Sequence, residues 1–124
     1  MKKAILVVAG AVVLALVAGS AWALMRGDAE SVARGTCGSA SYELTVENDD
    51  EGLEVTYELQ SSAPGESWLV LVEQGGTTLL EGERLTDEDA ELDVDALGRE
   101  DGADDFTVTA TPDQGEPCVA TLTR

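Results

Sequence analysis

The pattern of apolar and polar positions divides the chain into two parts. Residues 4–25 contain no charge, and apolar residues occupy every face of a helix drawn through them. From Ala40 onward, apolar residues recur at every second position instead, which is the period of a β-strand. The pattern predicts an N-terminal membrane anchor or signal helix over residues 1–25, a linker over residues 26–35 and a β domain over residues 36–124.

The apolar stretch has two interpretations. A helix over residues 4–25 rises about 33 Å, which is enough to cross a hydrocarbon core of about 30 Å. The two lysines before it favour a cytoplasmic N-terminus, with the rest of the chain outside. Alternatively, residues 21–23 form a small-x-small motif that fits signal-peptide cleavage after Ala23. The anchor is favoured because the apolar run continues to Met25, and both interpretations place the β domain on the same side of the membrane.

Within the linker, residues 28–34 could form one or two helical turns, although so short a helix is marginal alone, or they could be extended. Seven short strands are predicted after the linker. The first two strands form a hairpin, and Gly52 in their connection can take a positive φ. The third is apolar on both faces, which predicts a central strand buried on both sides. Spacings of roughly 10 to 14 residues indicate an all-β antiparallel sandwich. The predicted strands are Ala40–Glu47, Leu53–Gln60, Trp68–Val72, Thr77–Leu80, Ala90–Val94, Phe106–Ala110 and Cys118–Thr123.

Over residues 37–124 the chain resembles immunoglobulin-like and fibronectin-type-III-like domains. The third predicted strand carries Trp68, where immunoglobulin-type domains place their core tryptophan. Those domains bridge their second and sixth strands, whereas Cys37 and Cys118 flank the first and last strands here. The chain also resembles small membrane-tethered envelope proteins of bacteria with GC-rich genomes. These resemblances imply an architecture and transfer no binding site.

The β domain is strongly acidic. All 25 acidic residues lie from Asp28 onward, against four arginines, which gives this part a formal charge of −21. Such a surface repels nucleic-acid phosphates and anionic lipid head groups, so nucleic-acid binding is excluded and the domain should stand off its membrane. Basic proteins or divalent cations are the plausible counter-charges, and solubility alone is the simpler explanation.

The remaining chemistry is limited. The two cysteines predict one disulfide, Cys37–Cys118, on the oxidising side of the membrane. The chain contains no histidine, so a Ser-His-Asp triad and a usual zinc site lack their residues. Paired carboxylates of a hydrolase are available, but four of the five aromatic residues fall on predicted core faces and leave no cleft walls. We therefore expect no enzyme activity, no catalytic residues and no cofactor.

An acidic segment over residues 87–95 is the most unusual local feature. On a strand, Asp89, Glu91, Asp93 and Asp95 would share one face. Carboxylates grouped in this way suit Ca²⁺, but the segment does not fit an EF-hand loop because Leu92 takes the glycine position. A solvated edge strand, protected from aggregation by its charge, is favoured over a metal site.

These observations predict a non-catalytic interaction or structural module, tethered to the cell membrane by its N-terminal helix and exposed outside. An envelope protein or a basic partner would bind it. The alternatives are a secreted cation- or ligand-binding protein, if the chain is cleaved after Ala23, and a hydrolase that uses paired carboxylates.

Overall fold

A computed structural model describes residues 30–124, so the predictions for the apolar stretch and its cleavage lie outside the described residues. The described part forms eight strands in two four-stranded antiparallel sheets, as expected for a β-sandwich. Sheet I has the order β1-β2-β3-β6, and sheet II has the order β5-β4-β7-β8. The strands are β1 (Glu30–Cys37), β2 (Ala40–Asp49), β3 (Gly52–Gln60), β4 (Ser67–Gln74), β5 (Thr77–Leu85), β6 (Glu91–Gly98), β7 (Asp105–Pro112) and β8 (Cys118–Thr123).

The core lies between the sheets and is built from the inward half of each alternating strand. All seven predicted strands are present, and β2 and β3 form the predicted hairpin. Gly52 has a φ of 141°, and a Cβ atom there would lie 2.7 Å from the carbonyl oxygen of Gly98, so the turn requires glycine. The largest fully buried side chains are Tyr57, Phe106, Leu44, Leu53, Leu59, Val55, Val70, Val72 and Val108 with the cystine at Cys118.

Strand β1 departs from the sequence prediction. Residues 30–35 were expected to belong to a linker, either extended or with one or two helical turns, but they pair with β2 in continuous register from Glu30↔Glu47 to Cys37↔Ala40. These residues are therefore extended and belong to the sheet. Gly35 lies opposite Tyr42, and a Cβ atom on this glycine would lie 2.5 Å from the tyrosine hydroxyl oxygen. The absent side chain leaves room for the tyrosine ring beside β1.

Strand β4 is central, as predicted, but it is buried on one side. Trp68, Val70 and Val72 face the core, whereas Leu69 points outward and is 49% exposed. In a sandwich of two sheets each strand has one face at the core, and nothing among residues 30–124 covers the other face of β4. Because β4 is apolar on both of its faces, its outward face leaves apolar surface exposed at Leu69.

A disulfide closes one side of the sandwich. It joins Cys37 at the end of β1 to Cys118 at the start of β8, so it links edge strands of opposite sheets across 81 residues of sequence. These are the two cysteines of the chain, as the sequence predicted. On the other side, β5 of sheet II meets β6 of sheet I. Within the described residues, no helix is long and apolar enough to span a membrane.

Candidate interaction faces

The outer surface of sheet I, here called the acidic face, is dominated by carboxylates. The strand register places one row of charged residues directly across all four strands, running Arg34↔Glu43↔Glu58↔Asp93. Arg34 Nη2 lies 3.0 Å from Glu43 Oε2 and partly neutralises one end of this row. The outward acidic residues of sheet I are Glu30, Glu43, Glu47, Asp49, Glu54, Glu58, Glu91, Asp93 and Asp95.

Glu58 is the most strongly affected carboxyl of the acidic face. Desolvation raises its pKa first, and the negative charges of Asp93, Glu43, Glu91 and Asp95 raise it further, in that order. Like charges placed directly opposite each other on neighbouring strands weaken the pairing of those strands. The row across sheet I is therefore unfavourable for the fold itself.

The acidic strand predicted over residues 87–95 begins later than expected. Glu91, Asp93 and Asp95 are exposed on β6, an edge strand of sheet I, but Asp89 lies in the preceding turn and does not share their face. The Asp87 carboxylate accepts the backbone N–H groups of Asp89 and Glu91 at 2.8 and 3.0 Å, which ends the strand pattern at this turn. Thr56 Oγ1 donates to Asp95 Oδ1 at 3.1 Å.

An open depression of about 550 Å³ lies on the acidic face and is lined by Glu43, Glu58, Glu91, Asp93 and Arg34, among others. Within residues 30–124, no group of three or more carboxylates or thiolates is arranged to hold a metal ion. The depression is thus wide, and its carboxylates are spread over three strands. Such a surface suits several separate cationic groups better than one ion.

The outer surface of sheet II, here called the neutral face, carries fewer charges at its centre than the acidic face does. The outward positions of β4, β7 and β8 include two charged residues, Glu73 and Asp105, and the edge strand β5 adds Glu81 and Glu83 opposite Leu71 and Leu69. Leu69 is 49% exposed and Val119 is 53% exposed, and the row Leu71↔Thr109↔Val119 crosses the three strands. The other outward residues of these strands are Ser67, Asp105, Thr107, Thr111, Thr121 and Thr123.

Sequence reasoning did not identify the neutral face. The signals were the apolar outward positions of β4, interpreted as buried, and the threonines alternating with the core residues of β7. Threonine combines a methyl group with a hydroxyl group and fits a partly buried pleated surface. A run of outward threonines beside exposed leucines was therefore the available evidence for a second surface.

Three buried polar side chains, also missed from the sequence, hold loops to the strands. The Gln74 side chain donates to the carbonyl oxygens of Arg99 and Ala103, both at 2.8 Å, and accepts the Arg99 N–H at 2.9 Å. Thr86 Oγ1 donates to the Ala63 carbonyl oxygen at 2.8 Å. Ser61 is the third, and its hydroxyl group donates a hydrogen bond to the Glu66 carboxylate. These groups are used structurally.

Tyr57 is the remaining polar feature of the interior. Its ring is fully buried with a centroid 6.2 Å from that of Tyr42, and its hydroxyl has no hydrogen-bond partner among the described residues. Burial, and secondarily Tyr42, raises the pKa of this phenol. The interior is therefore a packed core in which even the tyrosine acts as an apolar ring.

No protein-family model matches the chain, and comparisons with curated proteins and with solved structures also find no match.

Proposed function

We propose that the protein is a non-catalytic interaction module, tethered to the cell membrane by its N-terminal stretch and exposed on the outside. The contrast between the acidic and neutral faces carries this proposal. A fold that needed only solubility would have no use for a face whose centre is mainly leucine, valine and threonine, and a fold that needed only stability would have no use for a row of opposed carboxylates. Two surfaces of opposite character are typical of a module that meets partners.

The disulfide supports the location. Disulfides persist on the oxidising side of membranes and are rare in the cytosol, and Cys37–Cys118 links the two sheets. Strand β1 begins at Glu30, so residues 26–29 alone separate it from the apolar stretch. Four residues reach at most about 14 Å. The short connection would therefore hold the sandwich close to the membrane surface, although its acidic charge favours standing off from it.

We further infer that the sandwich belongs to the immunoglobulin-like group. Its strands follow a Greek-key order in which β3 pairs with β6 and β4 pairs with β7. Trp68 is buried on β4, the third strand of the seven that the sequence predicted. In this interpretation β1 is an additional N-terminal strand at the edge of sheet I.

The non-catalytic part of the proposal is supported by where the aromatic and buried polar side chains lie. Tyr57, Trp68 and Phe106 are buried in the core, and Tyr42 packs against it. The carboxylates of sheet I stand on an open face, whereas carboxylate hydrolases position their acids across a walled cleft. This arrangement favours surface recognition.

Two measurements test the proposal. Alkaline carbonate extraction of cells that produce the full chain should leave it in the membrane pellet, and an impermeant protease added outside should degrade the sandwich. A soluble product that begins at Leu24 would replace the proposal with the secreted alternative. Protection of the sandwich from external protease, with a reduced cysteine pair, would contradict the location altogether.

The second candidate function is a secreted cation- or ligand-binding protein, which the carboxylate-lined depression on the acidic face favours. Site-specific photo-crosslinkers at Thr45 on the acidic face and at Thr109 on the neutral face, introduced into the full chain in cells, separate the candidates. Adducts with other envelope proteins support the interaction module. Absence of protein adducts from both positions would favour the small-ligand alternative.

A further inference from the structure

We propose that a pocket at one end of the sandwich binds a lysine side chain of a partner protein. The pocket has a volume of about 400 Å³ and lies where the β1–β2 turn, the β3–β4 loop and the β7–β8 loop meet. Glu66 places a carboxylate in it, and its walls include Trp68, Pro112, Pro117 and the Cys37–Cys118 disulfide. This inference deepens the proposed function and rests on it for the premise that the module meets other proteins.

The Glu66 carboxylate is held in place by buried groups. Ser61 Oγ and Trp68 Nε1 both donate to Glu66 Oε1, the indole from 3.3 Å. The Glu66 N–H donates to Thr86 Oγ1 at 2.8 Å, and the Thr86 N–H donates to the Glu66 carbonyl oxygen at 2.9 Å. Ser61, Trp68 and Thr86 are all buried. Because its backbone and its side chain are both fixed, Glu66 is preorganised to receive a ligand.

This carboxylate has no cationic partner within the sandwich. No arginine lines the pocket. The ion pairs among residues 30–124 lie elsewhere on the surface and are Arg34–Glu43, Arg99–Asp101 and Arg124–Asp104. The two lysines of the chain, Lys2 and Lys3, precede the apolar stretch, so the sandwich contains no lysine. Under the proposed membrane topology, a cation for Glu66 therefore comes from another molecule.

The hydrogen bonds of the pocket favour an ammonium group over a guanidinium group. Glu66 Oε1 already accepts two hydrogen bonds, so the two-point contact that arginine makes with a carboxylate would have to displace them. An ammonium group is a compact charge with three donors, which suits Glu66 Oε2 together with serine hydroxyl oxygens. Ser39 and Ser62 line the pocket and supply such oxygens. The aliphatic stem of a lysine would lie against Trp68 and the proline rings.

The pocket lies at the end of the sandwich that is farther from the tether. Strand β1 begins at Glu30, next to the linker, and ends at Cys37, which lines the pocket. A strand of this length extends about 25 Å, so a partner protein outside the membrane has access to the pocket. The formal charge of −21 from Asp28 onward attracts cationic groups to the domain. Position and charge both suit the capture of a lysine exposed on a partner.

NMR titration of the full chain in detergent micelles tests the inference through the indole N–H signal of Trp68, which donates to Glu66. Comparison with Trp22→Phe assigns this signal, because the chain has two tryptophans. The probe is the capped peptide acetyl-Gly-Lys-Gly-amide, and the control peptide carries norleucine, which lacks the ammonium group. We expect the lysine peptide to shift the signal saturably and to bind about fivefold more tightly than the norleucine peptide, because a charge-assisted hydrogen bond is lost without the ammonium group. The corresponding arginine peptide should bind more weakly than the lysine peptide.

Glu66→Gln and Glu58→Gln form a matched pair of variants. Both make the same residue change and remove the same charge, but Glu58 lies on the acidic face and does not line this pocket. We expect Glu66→Gln to weaken binding of the lysine peptide about fivefold and Glu58→Gln to leave it nearly unchanged. Retention of the disulfide and of cooperative melting establishes that each variant is folded. If Glu66→Gln does not fold, Gln114→Phe, which narrows the pocket from an exposed loop position, replaces it.

Four results would overturn the inference: no saturable shift of the Trp68 signal, equal binding of the lysine and norleucine peptides, tighter binding of the arginine peptide, or equal weakening in the two variants. Butylammonium, which is the lysine side chain without its peptide, separates the sources of the cation. Binding as tight as that of the lysine peptide would make the pocket a site for free amines and would also overturn the inference. None of these results would change membrane retention, so failure here is distinct from failure of the proposed function.

Discussion

The acidic and neutral faces belong to one sandwich and share one core, yet the rows of outward residues that cross their centres differ in charge. Across sheet I the outward row is Arg34, Glu43, Glu58 and Asp93, whereas across sheet II a comparable row is Leu71, Thr109 and Val119. The inward residues of both sheets are equally apolar. Folding therefore constrains the inward half of each strand, and the outward half is available for a separate purpose.

The two faces also differ in what they do for the fold. Threonine and other β-branched residues favour strands, and threonine pairs across strands are stabilising. Opposed carboxylates are destabilising, and Glu58 lies between Asp93 and Glu43, where desolvation first and then these two negative charges raise its pKa. The neutral face thus supports its sheet, while the acidic face reduces the stability of its own.

The largest effect is expected where the two sheets are joined. Replacing both Cys37 and Cys118 by alanine should lower the free energy of unfolding by about 4.5 kcal/mol, because the cross-link restricts a loop of about 80 residues in the unfolded chain. Urea denaturation of the full chain checks this. Thiol labelling of the denatured, unreduced wild type should find no free cysteine, and quantitative labelling of both would contradict the bridge.

A pair of leucine truncations compares inward with outward positions. Leu92→Ala on β6 should cost about 2–4 kcal/mol, because it leaves a cavity in the core, where Leu92 is 4% exposed. Leu69→Ala on the neutral face should cost less than about 1 kcal/mol in the monomer, because its side chain already meets water. Denaturant midpoints measure both, and equal losses would show that Leu69 is covered within the fold.

A strand could be predicted from the sequence only where its residues show a clear alternation of apolar and polar positions. The seven strands and their core residues follow from alternation. Strand β1 was not predicted because its inward positions include Ser31, Ala33 and Gly35, whose side chains are too small or too polar to produce an apolar period of two. The exposed side of β4 was misjudged because periodicity reports apolar character and not whether a partner layer exists.

The acidic row could not be predicted for a different reason. Glu43, Glu58 and Asp93 are far apart in the sequence, and their alignment depends on the register of two strand pairs. The sequence reveals that each residue is outward, but not which residue stands opposite. The disulfide was predictable because two cysteines permit a single pairing.

A smaller effect should appear when one carboxylate is neutralised. Glu58→Gln should raise the free energy of unfolding at pH 7 by about 0.5 kcal/mol, since it removes like-charge pairs that are partly screened by solvent. Glu73→Gln on the neutral face is the control and should change stability much less.

The pH dependence follows from the raised pKa of Glu58. A raised pKa in the folded state means that the stabilising contribution is complete below the unfolded-state value and is lost as pH rises through the folded-state value. As pH rises from below the unfolded-state pKa of Glu58 to above its folded-state pKa, the wild type should lose free energy of unfolding. The Glu58→Gln variant should lose less over the same range. An identical pH profile for both proteins would contradict the raised pKa of Glu58.

The smallest effect is expected from calcium. At matched ionic strength, about 1 mM Ca²⁺ should shift the melting temperature by less than a few degrees, because exposed charges are screened by salt. A saturable rise of about 10–20 °C would instead indicate preorganised ligands. If Glu91→Gln with Asp93→Asn abolished that rise, the acidic face would be a metal site.

The proposed interaction module is tested most directly by photo-crosslinking of the full chain in cells, with the crosslinker at Thr45 on the acidic face or at Thr109 on the neutral face. We expect adducts with other envelope proteins from at least one of the two positions. Absence of protein adducts from both positions would contradict the interaction module.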